Sequence, residues 1–201
     1  MPLQNRVLAT GDIVATPERG TFMGNRGILH GQEQTLSKAR WRHKAWIICV
    51  LHWKDWHRNV MTPGRYTELF FLDEAVALAA GHRPCALCRR APYVAYREAA
   101  GFAGSAKDMD AVLHAERAVP RRYAQRRTEA EAATLPDGAI ILLETGPGLL
   151  FGDACFPVSA KGYGTPVPRP VGQVTLLTPP RSCDALRNGF TPEFHPSLLA
   201  G

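Results

Sequence analysis

The chain has 201 residues and a formal net charge of +6, from 24 lysines and arginines against 18 aspartates and glutamates. Hydrophobic residues make up 45% of it, which is enough for a packed core and argues against an intrinsically disordered chain. The positive charge favours an anionic partner such as nucleic acid but indicates no particular fold. Without a run of about 18 apolar residues, the sequence predicts no membrane-spanning helix.

The compartment follows from the cysteines and the first residues. Five cysteines form an odd set with only one close pair, which is unusual for a disulfide framework and is typical of a reducing environment. The first residues also lack the charged-then-apolar pattern of a signal peptide. We therefore expect a cytoplasmic protein without a membrane partner.

The N-terminal half divides into two predicted segments. Residues 1–44 form a β and loop segment, with short apolar pieces followed by a glycine-rich stretch. Residues 45–101 form a compact module that begins with the apolar run 45–51, typical of a buried strand. The sequence then predicts a helix over 73–80 and a second helix that starts near residue 85 and ends before Gly101.

The C-terminal half also divides into two. Residues 102–135 are basic and predict two helical pieces, 108–119 and 121–134, separated by Pro120. Residues 136–201 contain apolar runs between glycine- and proline-rich connections, which indicate a β-rich region. The predicted fold class is α+β.

The pair Cys85 and Cys88 is the strongest chemical signal in the chain. Two thiols with two residues between them can turn onto one tetrahedral metal ion, with sulfur about 2.3 Å from zinc. Two other interpretations are open: both cysteines pack as small apolar residues, or they form a redox pair. The predicted cofactor is Zn²⁺, held in a structural site.

A closed zinc site needs four ligands, and the best upstream candidates are Cys49 and His52. They have the same spacing as the downstream pair, and Cys49 lies near the end of the predicted strand. The helix expected after Cys88 would favour thiolates through the positive end of its dipole. A strand-and-turn pair combined with a pair at a helix start is a treble-clef-like arrangement.

The segment 70–90, Phe-Phe-Leu-Asp-Glu-Ala followed by Ala-Ala-Gly-His-Arg-Pro-Cys-Ala-Leu-Cys-Arg, resembles the metal-binding domain of Ada-type DNA-repair proteins. The resemblance extends over about residues 45–100. It implies a zinc site and a DNA partner, with Cys85 and Cys88 matching the downstream ligand pair and Cys49 one upstream ligand. The family's second upstream cysteine is absent, so His52 would replace it. We expect Cys49 to be a structural ligand rather than a methyl acceptor.

A second group of residues resembles enzyme chemistry. Asp110 and His114 are four positions apart on a predicted helix, so they share a face, and Glu116 follows closely. A carboxylate that orients an imidazole forms a competent general base or metal-ligand pair. The alternative is an ordinary charged helix surface.

Cationic and aromatic residues alternate through the middle of the chain. Cations neutralise phosphates and indoles stack on unpaired bases, so this pattern indicates a nucleic-acid surface, with DNA favoured over RNA. The alternative is that the tryptophans pack a small core, which we favour for Trp46. The candidates for nucleic-acid contact are Trp53, Trp56, Arg89 and Arg90, beside a basic stretch of Arg40, Arg42, His43, Lys44, Lys54 and Arg58.

The sequence therefore predicts a zinc-binding protein that binds nucleic acid, in DNA repair or regulation. Two alternatives belong to other classes. One is a metal-dependent hydrolase or nuclease that uses Asp110, His114 and Glu116. The other is a non-enzymatic scaffold whose metal only stabilises the fold.

Overall fold

The computed structural model describes residues 1–57 and 59–199. Within them the chain forms four α-helices, two large sheets and a small two-stranded one, which confirms the α+β class. The elements in chain order are β1 (Gln4–Val7), β2 (Ile13–Ala15), β3 (Phe22–Asn25), β4 (Ile47–Cys49), β5 (Leu69–Phe71), α1 (Glu74–Ala79), β6 (Arg83–Pro84), α2 (Arg90–Ala99), α3 (Ala106–Arg117), β7 (Ala118–Val119), β8 (Ala124–Gln125), β9 (Thr128–Glu131), β10 (Ile140–Leu143), β11 (Gly146–Phe151), β12 (Ala154–Ser159), β13 (Gly162–Tyr163), β14 (Val167–Pro168), β15 (Gln173–Leu176) and α4 (Pro180–Arg187).

The first sheet has the strand order β2-β1-β5-β3-β4-β6. Two of its neighbouring pairs, β1 with β5 and β4 with β6, are parallel, and the others are antiparallel. The second sheet has the order β13-β12-β11-β10-β15-β9, with β14 beside β12, and its described pairs are antiparallel. The C-terminal region is therefore rich in strands, as the sequence predicts.

Alternation along the inner strands gives the first sheet one core face. Phe22, Ile48, Leu69 and Phe71 all point to that face and are buried in one hydrophobic cluster. The intervening residues of the same strands point to the opposite face, because successive side chains alternate across a strand. That opposite face carries the candidate site.

Helix α1 lies between the two sheets and is buried along its whole length. Its Ala77 and Leu78 belong to the core cluster of the first sheet, whereas Val76 belongs to a second cluster with Ile140 and Leu149. The larger cluster draws residues from all four segments predicted from the sequence. The segment boundaries after residues 44, 101 and 135 stay predictions. The last two residues of the predicted C-terminal segment, 200 and 201, lie outside the described residues.

The helix predicted over 108–119 exists as α3, but the helix predicted over 121–134 is wrong. After α3 the chain turns through Arg121 and Tyr123, both with positive φ angles, and returns as β8. Residues 128–131 then pair with β15. Their alanines and glutamates favour a helix in isolation, but pairing along the edge of the second sheet outweighs this weak preference. None of the helices within the described ranges has the length and apolarity that a membrane span requires.

Candidate metal centre

The parallel pairing of β4 with β6 brings two cysteines together at one edge of the first sheet. Ile47 lies opposite Arg83 and Ile48 opposite Pro84. The next residues on the two strands are Cys49 and Cys85, and the Cys85 N–H donates to the Ile48 carbonyl at 2.9 Å. Because the carboxyl ends of parallel strands meet at the same edge, the register itself positions these two thiols.

Cys88 reaches the same place through the turn between β6 and α2. The Arg89 N–H donates to the Cys85 carbonyl at 3.2 Å, which closes the turn. Within that turn the Leu87 N–H donates to the Cys85 Sγ at 3.4 Å. As a result the Sγ atoms of Cys49, Cys85 and Cys88 all lie within 4.8 Å of one another.

This donor set fits a thiophilic metal ion. In a tetrahedral zinc site with bonds of about 2.3 Å, neighbouring sulfurs are separated by about 3.8 Å, which is compatible with the observed spacing. Thiolates suit zinc, copper(I) and iron–sulfur chemistry rather than magnesium or calcium. The three cysteines therefore form a group that could hold a metal ion.

The pKa shifts of Cys49 and Cys85 are also consistent with a group that could hold a metal ion. Hydrogen bonds from the Cys49 and Cys88 thiols, together with backbone N–H groups, lower the pKa of Cys85. The hydrogen bond to Cys85, with burial and the neighbouring sulfurs, raises the pKa of Cys49. One thiolate is thus stabilised by its neighbours, and a bound cation would allow all three to ionise together.

The three thiols open onto a cavity of about 510 Å³ on the outer face of the first sheet. The sheet supplies its floor through residues that alternate with the core face. The segment between β4 and β5 supplies much of the wall. The floor includes Met23, Asn25, Ile47 and Phe70, and the wall includes Leu51, His52, Trp53, Trp56, His57 and Val60.

Three residues predicted from the sequence lie on this wall. His52 is exposed and lines the cavity, but the described group of close ligand atoms consists of the three cysteines. Its role as fourth ligand stays a prediction. Trp53 is half-buried and Trp56 is 66% exposed, so Trp56 lies where a large partner can reach it. Arg58 of the predicted basic stretch lies outside the described residues.

The two arginines that follow the CxxC turn have different surroundings. Arg89 is buried and forms an ion pair with Glu74, and its Nη2 donates to Glu193 at 2.5 Å. Its charge is thus engaged inside the fold, where it cannot meet a phosphate. Arg90 is exposed at the start of α2 and lies near the ring of Tyr93. Of this pair only Arg90 is exposed, and its contact with nucleic acid stays a prediction.

The three residues of the predicted enzyme-like group all lie on α3 but have different partners. Both carboxylate oxygens of Asp110 accept from the Arg83 guanidinium, at 2.9 and 2.8 Å. Glu116 accepts the Arg181 N–H at 3.0 Å. His114 instead packs edge-on against Trp41 and Trp46, and burial lowers its pKa to about 4. Each member therefore has its own structural partner.

Two polar residues of the cavity were not singled out from the sequence. Asn25 and Glu68 are 8% and 2% exposed, and both line the cavity. Strand β3 was not predicted from the sequence, because its apolar stretch is short and contains a glycine. The signal that would have found them is alternation: in both strands, residues of the cavity face are spaced by two.

Comparison of the chain with protein-family models, with curated proteins and with solved structures returned no match. None of these comparisons therefore links the chain to the Ada-type domains that its CxxC segment resembles. The function has to be argued from the cluster of three thiols, the cavity above it and the surrounding charges.

Proposed function

We propose that this protein binds one Zn²⁺ ion through Cys49, Cys85 and Cys88, and that it binds nucleic acid through the cationic and aromatic surface around the metal cavity. The observation that carries the proposal is the convergence of three sulfurs at the floor of a cavity. Bound there, zinc would supply a Lewis acid and would stabilise the fold by joining β4, β6 and the turn before α2.

Three protein ligands leave one side of a tetrahedral ion without a protein donor, which is the pattern of zinc sites that meet a ligand. That side would face the cavity, because all three cysteines line it. His52 lies on the same wall and is the candidate that would close the site instead. The treble-clef description, with a CxxC turn leading into α2, belongs to this proposal.

The surface around the cavity supports an anionic partner. Trp56 lines the metal cavity and also two neighbouring depressions. One of these depressions contains His57 and Arg65, and the other contains Arg42 and Arg65. Cations beside an exposed indole suit a single strand, since the cations neutralise phosphates and the indole stacks on a base. Within this proposal DNA is favoured over RNA, and DNA repair or regulation is the expected setting.

The test has two parts, and the first is elemental analysis of protein purified without added metal, with about one zinc per chain expected. The second is retention on single-stranded DNA at increasing salt, where affinity should fall by orders of magnitude between about 50 and 200 mM. The double variant Arg42→Ala/Arg65→Ala should weaken binding to all sequences alike. The matched control is Arg181→Ala/Arg187→Ala on α4, which removes the same charge outside these depressions and should leave affinity unchanged.

A second candidate function, metal-dependent hydrolysis, is favoured by one observation. Glu68 lines the same cavity as the three thiols, and a carboxylate beside an open metal site can act as a general acid or base. In this version Glu68 takes the role that the sequence analysis gave to Asp110 and Glu116. A cleavage assay with and without zinc, repeated with Glu68→Gln, separates this function from binding alone. Zinc retention without any DNA binding would leave the scaffold interpretation.

A further inference from the structure

Sulfur-containing residues lie side by side across the first sheet, from β3 to the end of β6. In the antiparallel register of β3 with β4, Met23 lies directly opposite Cys49. On the other side of β4, the parallel register with β6 leads to Cys85. Directly opposed residues of antiparallel strands have their Cβ atoms about 5 Å apart and on the same face. Met23 is therefore the direct cross-strand neighbour of Cys49 on the side away from Cys85.

Met23 shares the cavity with the thiol cluster. It is half-buried and lines the same cavity as Cys49, Cys85 and Cys88, whereas the preceding residue, Phe22, is buried on the core face. A methionine side chain has three rotatable bonds and ends in a polarizable thioether. The Met23 sulfur can therefore turn toward an ion at the cluster without a movement of the backbone.

A thioether beside three thiols extends the range of metal ions that the centre suits. Zinc in proteins takes thiolate, imidazole and carboxylate ligands, and a thioether is not among them. Thiolate and thioether sulfur together suit copper(I), a soft monovalent ion. Iron–sulfur clusters are commonly held by four cysteine thiolates, one more than the described group supplies. The thioether thus adds to the zinc-compatible thiols a donor that copper(I) would use.

The two candidates for a fourth donor lie on different parts of the cavity. His52 belongs to the wall segment and offers a nitrogen, which zinc accepts. Met23 belongs to the floor and offers a sulfur. The same three thiols can therefore be completed in two ways, and the ion decides which residue joins them.

We propose that the thiol cluster also binds copper(I), with the Met23 thioether as the fourth donor. The inference rests on the proposed function only in that Cys49, Cys85 and Cys88 hold a metal ion. Each thiol that becomes a ligand releases its proton to solvent. The copper stays monovalent, so binding needs neither an oxidant nor a reductant.

The first experiment follows the methionine methyl groups of the unmodified chain by NMR. The chain has four methionines, and labelling their methyl groups with carbon-13 gives a signal for each. The Met23 signal should shift when copper(I) is added under anaerobic conditions and should shift far less with zinc, because the thioether binds only copper(I) of these two ions. Met109, buried on α3, is the internal reference and should stay in place with both ions.

A conservative variant tests the thioether directly, since Met23→Leu keeps the apolar volume and removes the sulfur. Loss of groups that only support metal ligands already costs about 10–100-fold in metal affinity. Met23→Leu should therefore weaken copper(I) binding by at least about tenfold, measured in competition with a copper(I) chelator, and should leave zinc affinity unchanged. Met109→Leu makes the same change in the core and is the matched control, which should keep both affinities.

The possible outcomes separate this inference from the proposed function. Equal copper(I) affinity in the wild type and Met23→Leu, or a Met23 signal that stays in place, would overturn the role of the thioether and leave the zinc centre intact. Copper(I) binding without zinc binding would support the inference and overturn zinc as the bound ion. If neither ion binds, both proposals are wrong. If Met23→Leu does not fold, the methyl signals of the unmodified chain decide.

Discussion

Two clusters of like groups lie within a few residues of each other on the first sheet. One consists of the thiols of Cys49, Cys85 and Cys88 at the end of β4. The other consists of the guanidinium groups of Arg26 and Arg117, both stacked on Trp46 just before β4, with their Cζ atoms 4.2 and 4.4 Å from its ring centre. The comparison shows how differently a fold can satisfy groups that repel each other when charged.

The chain itself supplies most of the hydrogen-bond partners of the arginine cluster, although the Nε of Arg117 has none among the described residues. Arg26 donates to the Nε2 of His82 at 3.1 Å and to the Ala80 carbonyl at 3.2 Å, and Arg117 donates to the carbonyls of Gly81 and Lys44. Burial lowers the pKa of each guanidinium to about 9. Carbonyl dipoles and an aromatic face therefore hold two cations in a closed interior.

Within residues 1–57 and 59–199, the thiol cluster has no comparable set of partners. A few backbone N–H groups reach its sulfurs, and the hydrogen bonds between the thiols stabilise one thiolate rather than three. Its open side faces a cavity rather than packed side chains. The arginine cluster is thus a buried part of the fold, whereas the thiol cluster is a group that could hold a metal ion at the edge of a cavity.

The largest effect is expected from a substitution that breaks the thiol cluster. Cys85→Ser should remove the ion and lower the free energy of unfolding by several kcal/mol, because the binding energy of a structural zinc, of order 10 kcal/mol, is also folding energy. Zinc content and thermal unfolding measure this. Cys155→Ala, which changes a buried thiol in the second sheet, should keep zinc at the wild-type level and lose only about 1 kcal/mol. Equal zinc content in both variants would contradict the site.

The next largest effect is expected from substitutions that break the arginine cluster. Arg26→Met leaves the Ala80 carbonyl and His82 without their donor and should lower the free energy of unfolding by about 3 kcal/mol, with zinc content unchanged. Arg117→Met should cost a similar amount. Because the two cations repel each other, the double variant should lose less than the sum of the single losses, as urea unfolding of all four proteins will show. An additive result would mean that the repulsion is screened.

A smaller effect concerns pH at the edge of the arginine cluster. Burial, followed by Arg117 and Lys44, lowers the pKa of His114 from 6.5 to about 4, so the unfolded chain binds more protons than the folded one between these values. Stability is therefore full above pH 6.5 and falls as the pH drops toward 4. His114→Gln should flatten this slope by about 1 kcal/mol after allowance for solvent screening. Part of the slope should persist, because the pKa of His82 is lowered in the same direction.

The last comparison concerns the two ion pairs of Arg89 behind the CxxC turn, one of which gives the smallest expected effect. Glu193→Gln changes the exposed partner of Arg89 and should cost less than about 1 kcal/mol. Glu74→Gln changes the buried partner and should cost about 3 kcal/mol, since it leaves the guanidinium without its principal counter-charge. Similar losses in the two variants would show that Arg89 is more solvated than its burial indicates. Thermal unfolding at neutral pH makes the comparison.

Local pattern predicted much of this architecture. The run 45–51 contains β4, and the helices predicted over 73–80 and from near residue 85 to 100 correspond to α1 and α2. The spacing of Cys85 and Cys88 was sufficient to place these two thiols together, and Cys49 is the upstream cysteine that joins them in the cluster. In each case the determining interactions are close in sequence or rest on an obvious apolar run.

The features that local pattern did not show depend on distant pairing. Residues 128–131 form a strand because β15 lies beside them, which no local propensity shows. Asp110 pairs with Arg83, 27 positions earlier in the chain, so its position four residues from His114 carried no information about its partner. Asn25 and Glu68 become neighbours only through the register of β3 with β5. Arg89 lies next to another arginine in the sequence, which is typical of an exposed position. In the fold it is buried because it pairs with Glu74 on α1.

The parallel register of β4 and β6 would also give a bound ion a mechanical role. The wall segment between β4 and β5 lies on the chain between Cys49 and Cys85, so an ion held by both residues fastens the two ends of a long loop. A protease cut in the exposed part of that loop would leave two fragments that share one ion as well as strand pairing. We expect such a nicked protein to migrate as a single particle until a chelator is added.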